Sequence, residues 1–190
     1  MQQAQNNDGK TLDSTTNLLG ALTRALSDRI ETGLRENLNR PGEAAAAVIF
    51  LGYTPGISVE ILRHVLCLSH PGTVRLVDRL SEDDLVQRRK SEDGRAVALH
   101  LTPKGERLRT RLFDSRNDVL EAALTGLSAD ERATFGQLIA KVLVALPETE
   151  LDKHHICRQC SVKLCSSDCP IPGNAPMLIP YRSDKEVGRN

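Results

Sequence analysis

The sequence predicts a mainly α-helical fold with one β-hairpin, and three observations predict it. Apolar residues recur in steps of three and four near both ends of the 190-residue chain. Two short serine-capped helices follow one another in the middle. Directly after them the period switches to the alternation of paired strands. Aromatic residues make up only 3% of the chain, so Leu, Ala and Val must fill the interior, a composition that suits helices.

Taken in order, residues 1–10 are polar and are expected to fray. Over residues 12–39, Leu19, Leu22, Leu26, Ile30, Leu34 and Leu38 mark one long amphipathic helix. Pro41 and Gly42 end it. Residues 43–51 are nearly all apolar and predict a buried helix, followed by a turn over Gly52–Gly56. Ser58 caps a helix over 59–68, in which Cys67, between Leu66 and Leu68, is read as a core residue. Ser69 caps the next, which runs to about Leu80 with Pro71 in its first turn and Thr73, Leu76, Val77 and Leu80 facing inward. Leu85–Arg89 is strand-like, Asp93 and Gly94 make a turn, and 96–101 alternates with Val97, Leu99 and Leu101 on one face. Thr102 caps another helix with Pro103 at its first position. Ser128 and Glu131 form the capping box of the last one, which carries Phe135, Leu138, Ile139, Val142 and Leu146 and stops at Pro147.

Two capped helices joined by a tight turn and followed by a hairpin are a winged helix-turn-helix with a two-stranded β-wing. The charge pattern agrees. Lys and Arg number 25, as do Asp and Glu, so the chain is formally neutral. Yet residues 88–116 hold nine basic and four acidic side chains, and 118–152 hold two basic and seven acidic. Such a chain presents a basic end to a polyanion. A helix fits the DNA major groove, and a basic hairpin tip reaches the minor groove beside it. His70, Thr73 and Arg75 are therefore assigned to base or phosphate contact and Arg79 to phosphate, while Arg88, Arg89, Lys90 and Arg95 charge the wing. Asp93 stands two residues before Arg95 and braces its guanidinium. The long end helices have an apolar face that a lone winged helix cannot cover, which predicts a helical dimerisation lobe.

The residues 68–80 (LSHPGTVRLVDRL), Leu85–Arg89, Asp93-Gly94-Arg95 and Leu101-Thr102-Pro103-Lys104-Gly105 together resemble the MarR (multiple antibiotic resistance) family of bacterial transcription regulators, over roughly residues 20–146. The resemblance implies a homodimer held by the first and last two helices, usually a repressor, on a pseudo-palindromic double-stranded operator. It also implies a cleft between the lobes for a small-molecule effector. Asp84 stands where the family often has Gly, in a left-handed turn that Asp tolerates. The family's peroxide-sensing branch uses a cysteine in its first helix; here no cysteine precedes Cys67.

Beyond the 11–146 winged-helix domain, residues 147–170 carry Cys157, Cys160, Cys165 and Cys169, spaced C-x2-C-x4-C-x3-C-P. Four thiolates this close can wrap one soft-metal centre. The four-residue gap favours zinc and the trailing Pro170 favours an iron–sulfur cluster, so both stay open. The centre is expected to follow the dimerisation helices, away from the wing, and to make DNA binding metal- or redox-responsive. His64 and His100 are read as surface residues, and 171–190 as a flexible end. No enzyme constellation emerges. The alternative is a thiol-disulfide or metal-handling protein using the Cys157-x2-Cys160 pair. The longest apolar run, 44–52, is too short to span a bilayer, and the N-terminal residues lack the pattern of a secretion signal, so a cytoplasmic protein is expected.

Overall fold

The computed structural model describes residues 13–38, 40, 42–90, 97–161 and 169–171. Its elements run α1 (Ser14–Leu38), α2 (Gly42–Tyr53), α3 (Val59–Leu66), α4 (His70–Glu82), β1 (Val86–Lys90), β2 (Val97–Leu101), α5 (Pro103–Leu124), α6 (Ala129–Val144) and α7 (Glu150–Cys157). The two strands pair antiparallel, from Val86 opposite Leu101 to Lys90 opposite Val97. The expected mainly helical, winged helix-turn-helix class is what the structure shows.

The apolar run of α2 is the centre of the core. Eight consecutive residues, Ala44 to Leu51, are buried. Around them lie Leu62, Val65 and Leu66 of α3, Leu76, Val77 and Leu80 of α4, Leu99 of β2, and Leu108 and Leu112 of α5. A helix that is apolar all round requires neighbours on every side, which is why the short helices and the hairpin wrap it.

Local chemistry places each joint. The Ser58 hydroxyl accepts from the Ile61 amide and that of Ser69 from the Gly72 amide, fixing the starts of α3 and α4. Asp84 has φ of 57°, the left-handed turn anticipated for it. Thr102 caps α5 by accepting from Gly105, and its hydroxyl donates to the Asp84 carbonyl at 2.6 Å. Gly105 is required there, because a Cβ would lie 2.1 Å from the Leu85 carbonyl oxygen.

Four expectations need correction. Cys67 is exposed rather than buried: it ends α3 in the left-handed conformation (φ 54°), which swings its side chain out of the helix's apolar face. Val97 is exposed, because the hairpin leaves the core there and the inward pattern holds only for Leu99 and Leu101. Residues 150–157, part of the 147–170 cysteine segment to which no helix was assigned, form α7, started by a capping box of Thr149 and Asp152. Ile171, placed in the flexible end, is 3% exposed. Residues 1–10 and the rest of 171–190 lie outside the described residues.

Candidate nucleic-acid interface

α4 presents its outer face beside the wing. Arg75 and Arg79 are exposed on it, and Arg79 Nε donates to the Arg75 carbonyl at 3.1 Å, folding its side chain along the helix. His70 is exposed at the start of α4, with Nδ1 3.3 Å from Glu60 of α3. Arg88 of β1 donates to Asp78 of α4 at 2.6 Å, tying the wing to the helix it must act with. Arg89 and Lys90 continue the strand into solvent. Arg95 and Asp93 lie outside the described residues.

Thr73 does not belong with this set. Its side chain is fully buried and its hydroxyl donates to the Ser69 carbonyl at 3.1 Å, because it occupies the inward face with Leu76, Val77 and Leu80. Facing the core and touching a base are exclusive for one side chain, and the structure assigns Thr73 to the core.

Two residues that shape this face were not anticipated. Glu60 receives hydrogen bonds from Arg63 and meets His64 and His70. The Arg63 hydrogen bonds above all, then those of His70 and His64, hold its carboxyl down at about 2 despite partial burial. Its i+3 and i+4 partners were visible in the sequence. The Asp78–Arg88 pair joins a helix to a strand and carried no local signal. His64 and His100, expected at the surface, are half-buried; for His100, burial and then the charge of Arg89 lower the pKa.

The cysteine tail lies elsewhere than expected. α7 packs chiefly on α3 of the helix-turn-helix. His155 Nδ1 is 2.8 Å from the Val65 carbonyl and 3.3 Å from Cys67 Sγ, and the His154 ring meets Phe50 of α2 edge-on at 6.5 Å. The Cys157 and Cys160 thiols are hydrogen-bonded, and that bond, ahead of the charges of Arg116 and Arg158, brings Cys160 down to about 6 against the effect of burial. The described residues thus bring two of the four thiols together. No three His, Cys, Asp or Glu side chains among them converge as a metal site, and Cys165 lies outside them, so the four-cysteine centre, Cys169 included, rests on spacing alone.

An outward basic helix tied to a basic hairpin defines a winged helix-turn-helix protein. Known proteins of similar sequence and fold agree with that reading. HTH-type transcriptional regulator MgrA of Staphylococcus aureus is 40% identical over 81 residues, 42% of this chain and 54% of that protein. The chain thus spans about half the length of the curated relatives it matches. A MarR family protein from Bacillus stearothermophilus aligns with a TM-score of 0.59 at 26% identity, over 68% of this chain and 93% of that one. A MepR mutant of Staphylococcus aureus, solved bound to an oligodeoxyribonucleotide, shares the fold, with a TM-score of 0.53 at 16% identity over 72% of this chain and all of that one. No family model matches the chain. The chain has the winged-helix fold and is similar to MarR-family proteins over it.

Proposed function

We propose that the chain is a homodimeric, sequence-specific DNA-binding transcriptional regulator, acting as a repressor on a pseudo-palindromic operator. The observation that carries this reading is the Asp78–Arg88 bond at 2.6 Å. It locks the basic wing strand against a helix whose exposed Arg75 and Arg79 reach outward, so helix and wing approach one duplex as a unit. The relatives named as transcriptional regulators and the oligonucleotide-bound MepR support it.

Dimerisation is supported by the apolar side chains left exposed. Leu18, Leu19 and Leu22 of α1 and Leu138, Ile139 and Val142 of α6 all face solvent in the single chain. Two copies pairing these faces would set two recognition helices at the half-site spacing of a palindrome. A small-molecule effector is proposed for the cleft lined by Ile30, Leu34, Glu43, Leu66, His155 and Arg158. It lies between α1 and the helix-turn-helix, where a ligand would change the angle between them.

Selection of binding sites from random duplexes tests the reading, with light scattering on the free protein. The expected result is an inverted-repeat consensus bound by a dimer. A stable monomer at micromolar concentration, or no enrichment over random sequence, would overturn it.

A further inference from the structure

The last turn of α3 has an acceptor that its own helix does not satisfy. The left-handed cap lets the Cys67 amide donate to the His64 carbonyl and the Leu68 amide to the Arg63 carbonyl. The Val65 carbonyl, one of the orphans every helix end leaves, is met instead by His155 from α7. A carbonyl only accepts, so Nδ1 carries the proton, and the Cys67 sulfur lies 3.3 Å from the same nitrogen. The clasp thus closes on the residues that lead directly into Ser69, the cap of the recognition helix.

On the other side of His155 is the thiol pair. The Cys160 amide donates to the Cys157 carbonyl at 2.9 Å, and the two thiols are hydrogen-bonded across this turn. Between them stands Arg158, whose guanidinium donates to the His155 carbonyl at 2.6 Å. A change in the Cys157–Cys160 turn therefore moves Arg158, and Arg158 is hydrogen-bonded to the residue that holds α3.

We propose that Cys157 and Cys160 form a reversible disulfide by exchange with small-molecule disulfides, and that this bond loosens the His155 clasp on Val65 and lowers the affinity of the helix-turn-helix in the same subunit for DNA. The inference rests on the DNA-binding reading and deepens it. In the first step the Cys160 thiolate attacks one sulfur of the small disulfide, forming a mixed disulfide and releasing one thiolate. In the second the Cys157 thiolate attacks Cys160 Sγ, closing the internal bond and releasing the second. Two protein thiols are oxidised, one small disulfide is reduced to two thiols, and the two protons go to the released thiolates.

The test uses the full chain in glutathione redox buffers containing a chelator. Trypsin cuts after Lys153, Arg158 and Lys163, so it separates Cys157 from Cys160 unless a disulfide joins them. The expected oxidised product is peptide 154–158 linked to 159–163, two hydrogens lighter than the reduced pair. Alkylation of Cys67 in the same samples reads the clasp without DNA, and its rate is expected to rise on oxidation. Affinity for the selected operator is expected to fall by about fivefold or more, the lower range of coupling between two sites. In His155→Ala the linked peptides should still form while the two redox states bind DNA equally.

Failure to form the 157–160 link, or linkage of Cys160 to Cys165 or Cys169 instead, would overturn the disulfide. An unchanged Cys67 rate, equal or higher affinity on oxidation, or an oxidation effect that persists in His155→Ala would overturn the clasp. If neither redox state binds DNA, the regulator reading fails and with it the affinity effect, while the linked peptides and the Cys67 rate still decide the chemistry.

Discussion

Asp78, in the third turn of α4, holds the Arg88 guanidinium of β1 at 2.6 Å, while Arg75 one turn earlier is exposed to solvent. Arg88 is thus already paired and Arg75 is available. Arg75→Ala should weaken operator binding by about 1–3 kcal/mol, the cost of losing a direct arginine contact. Arg88→Ala should cost less, because the lost charge was partly neutralised. Both carboxylate and guanidinium are partly exposed, so breaking the pair should change fold stability by about 1 kcal/mol at most. Fluorescence anisotropy with operator at two salt concentrations checks this, and wild-type binding by Arg75→Ala would remove α4 from the interface.

Thr73 offers the complementary case. Thr73→Val keeps the buried shape and loses only a bond to the preceding turn, so operator affinity should stay within about twofold of wild type, a difference of about 0.4 kcal/mol. Thr73→Ala should instead lower the denaturant midpoint by opening a small cavity, costing about 1–2 kcal/mol. A base-contacting threonine would give the opposite ranking, with Val losing affinity and Ala leaving stability unchanged.

Gly105 predicts a sharp contrast between two glycines. A methyl group there meets the Leu85 carbonyl, a backbone atom that cannot rotate away, whereas at Gly126 nothing lies within 4 Å. Gly105→Ala should destabilise the fold by about 1–3 kcal/mol, the range for overpacking. Gly126→Ala should be neutral or slightly stabilising. Urea unfolding of both variants measures the difference.

Glu60 gives a pH dependence of fixed sign. Its folded carboxyl is held at about 2, below its ordinary value of 4.5, by Arg63 first and then by His70 and His64. Between those two values the unfolded chain binds the proton and the folded chain does not. The stabilisation is therefore complete above the ordinary value and is lost as pH falls toward about 2. Glu60→Gln should flatten the fall of unfolding free energy with acid over that window. A slope identical to wild type would show that the pair adds nothing to the fold.

Much of the architecture was legible because it is written in short-range chemistry. Ser58, Ser69, Thr102 and Ser128 each act on an amide three residues on, and each was read from sequence and is seen in the structure. The Leu-Thr-x-x-Gly run is now explained by Thr102 and Gly105 closing on Asp84 and Leu85. The helix period already turns Thr73 inward with Leu76 and Leu80, which its DNA assignment contradicts, whereas the exposure of Cys67 follows from a left-handed backbone that residue type does not reveal. The start of α7 carries the same kind of short-range signal, Thr149-x-x-Asp152. Its packing against α3 was not legible at all, since Val65 and His155 are ninety positions apart in the chain.

α6 has a further consequence. None of its sixteen residues is buried, although its start is secured by a capping box. A helix of that length is marginal in water when nothing packs on it. Its order must come from whatever covers Leu138, Ile139 and Val142, and in the proposed dimer that cover is another copy of the chain. Acquiring structure and finding a partner then become one event for this part of the molecule. The melting temperature should rise with total protein concentration, and dilution alone should unravel α6 while the α2-centred core endures.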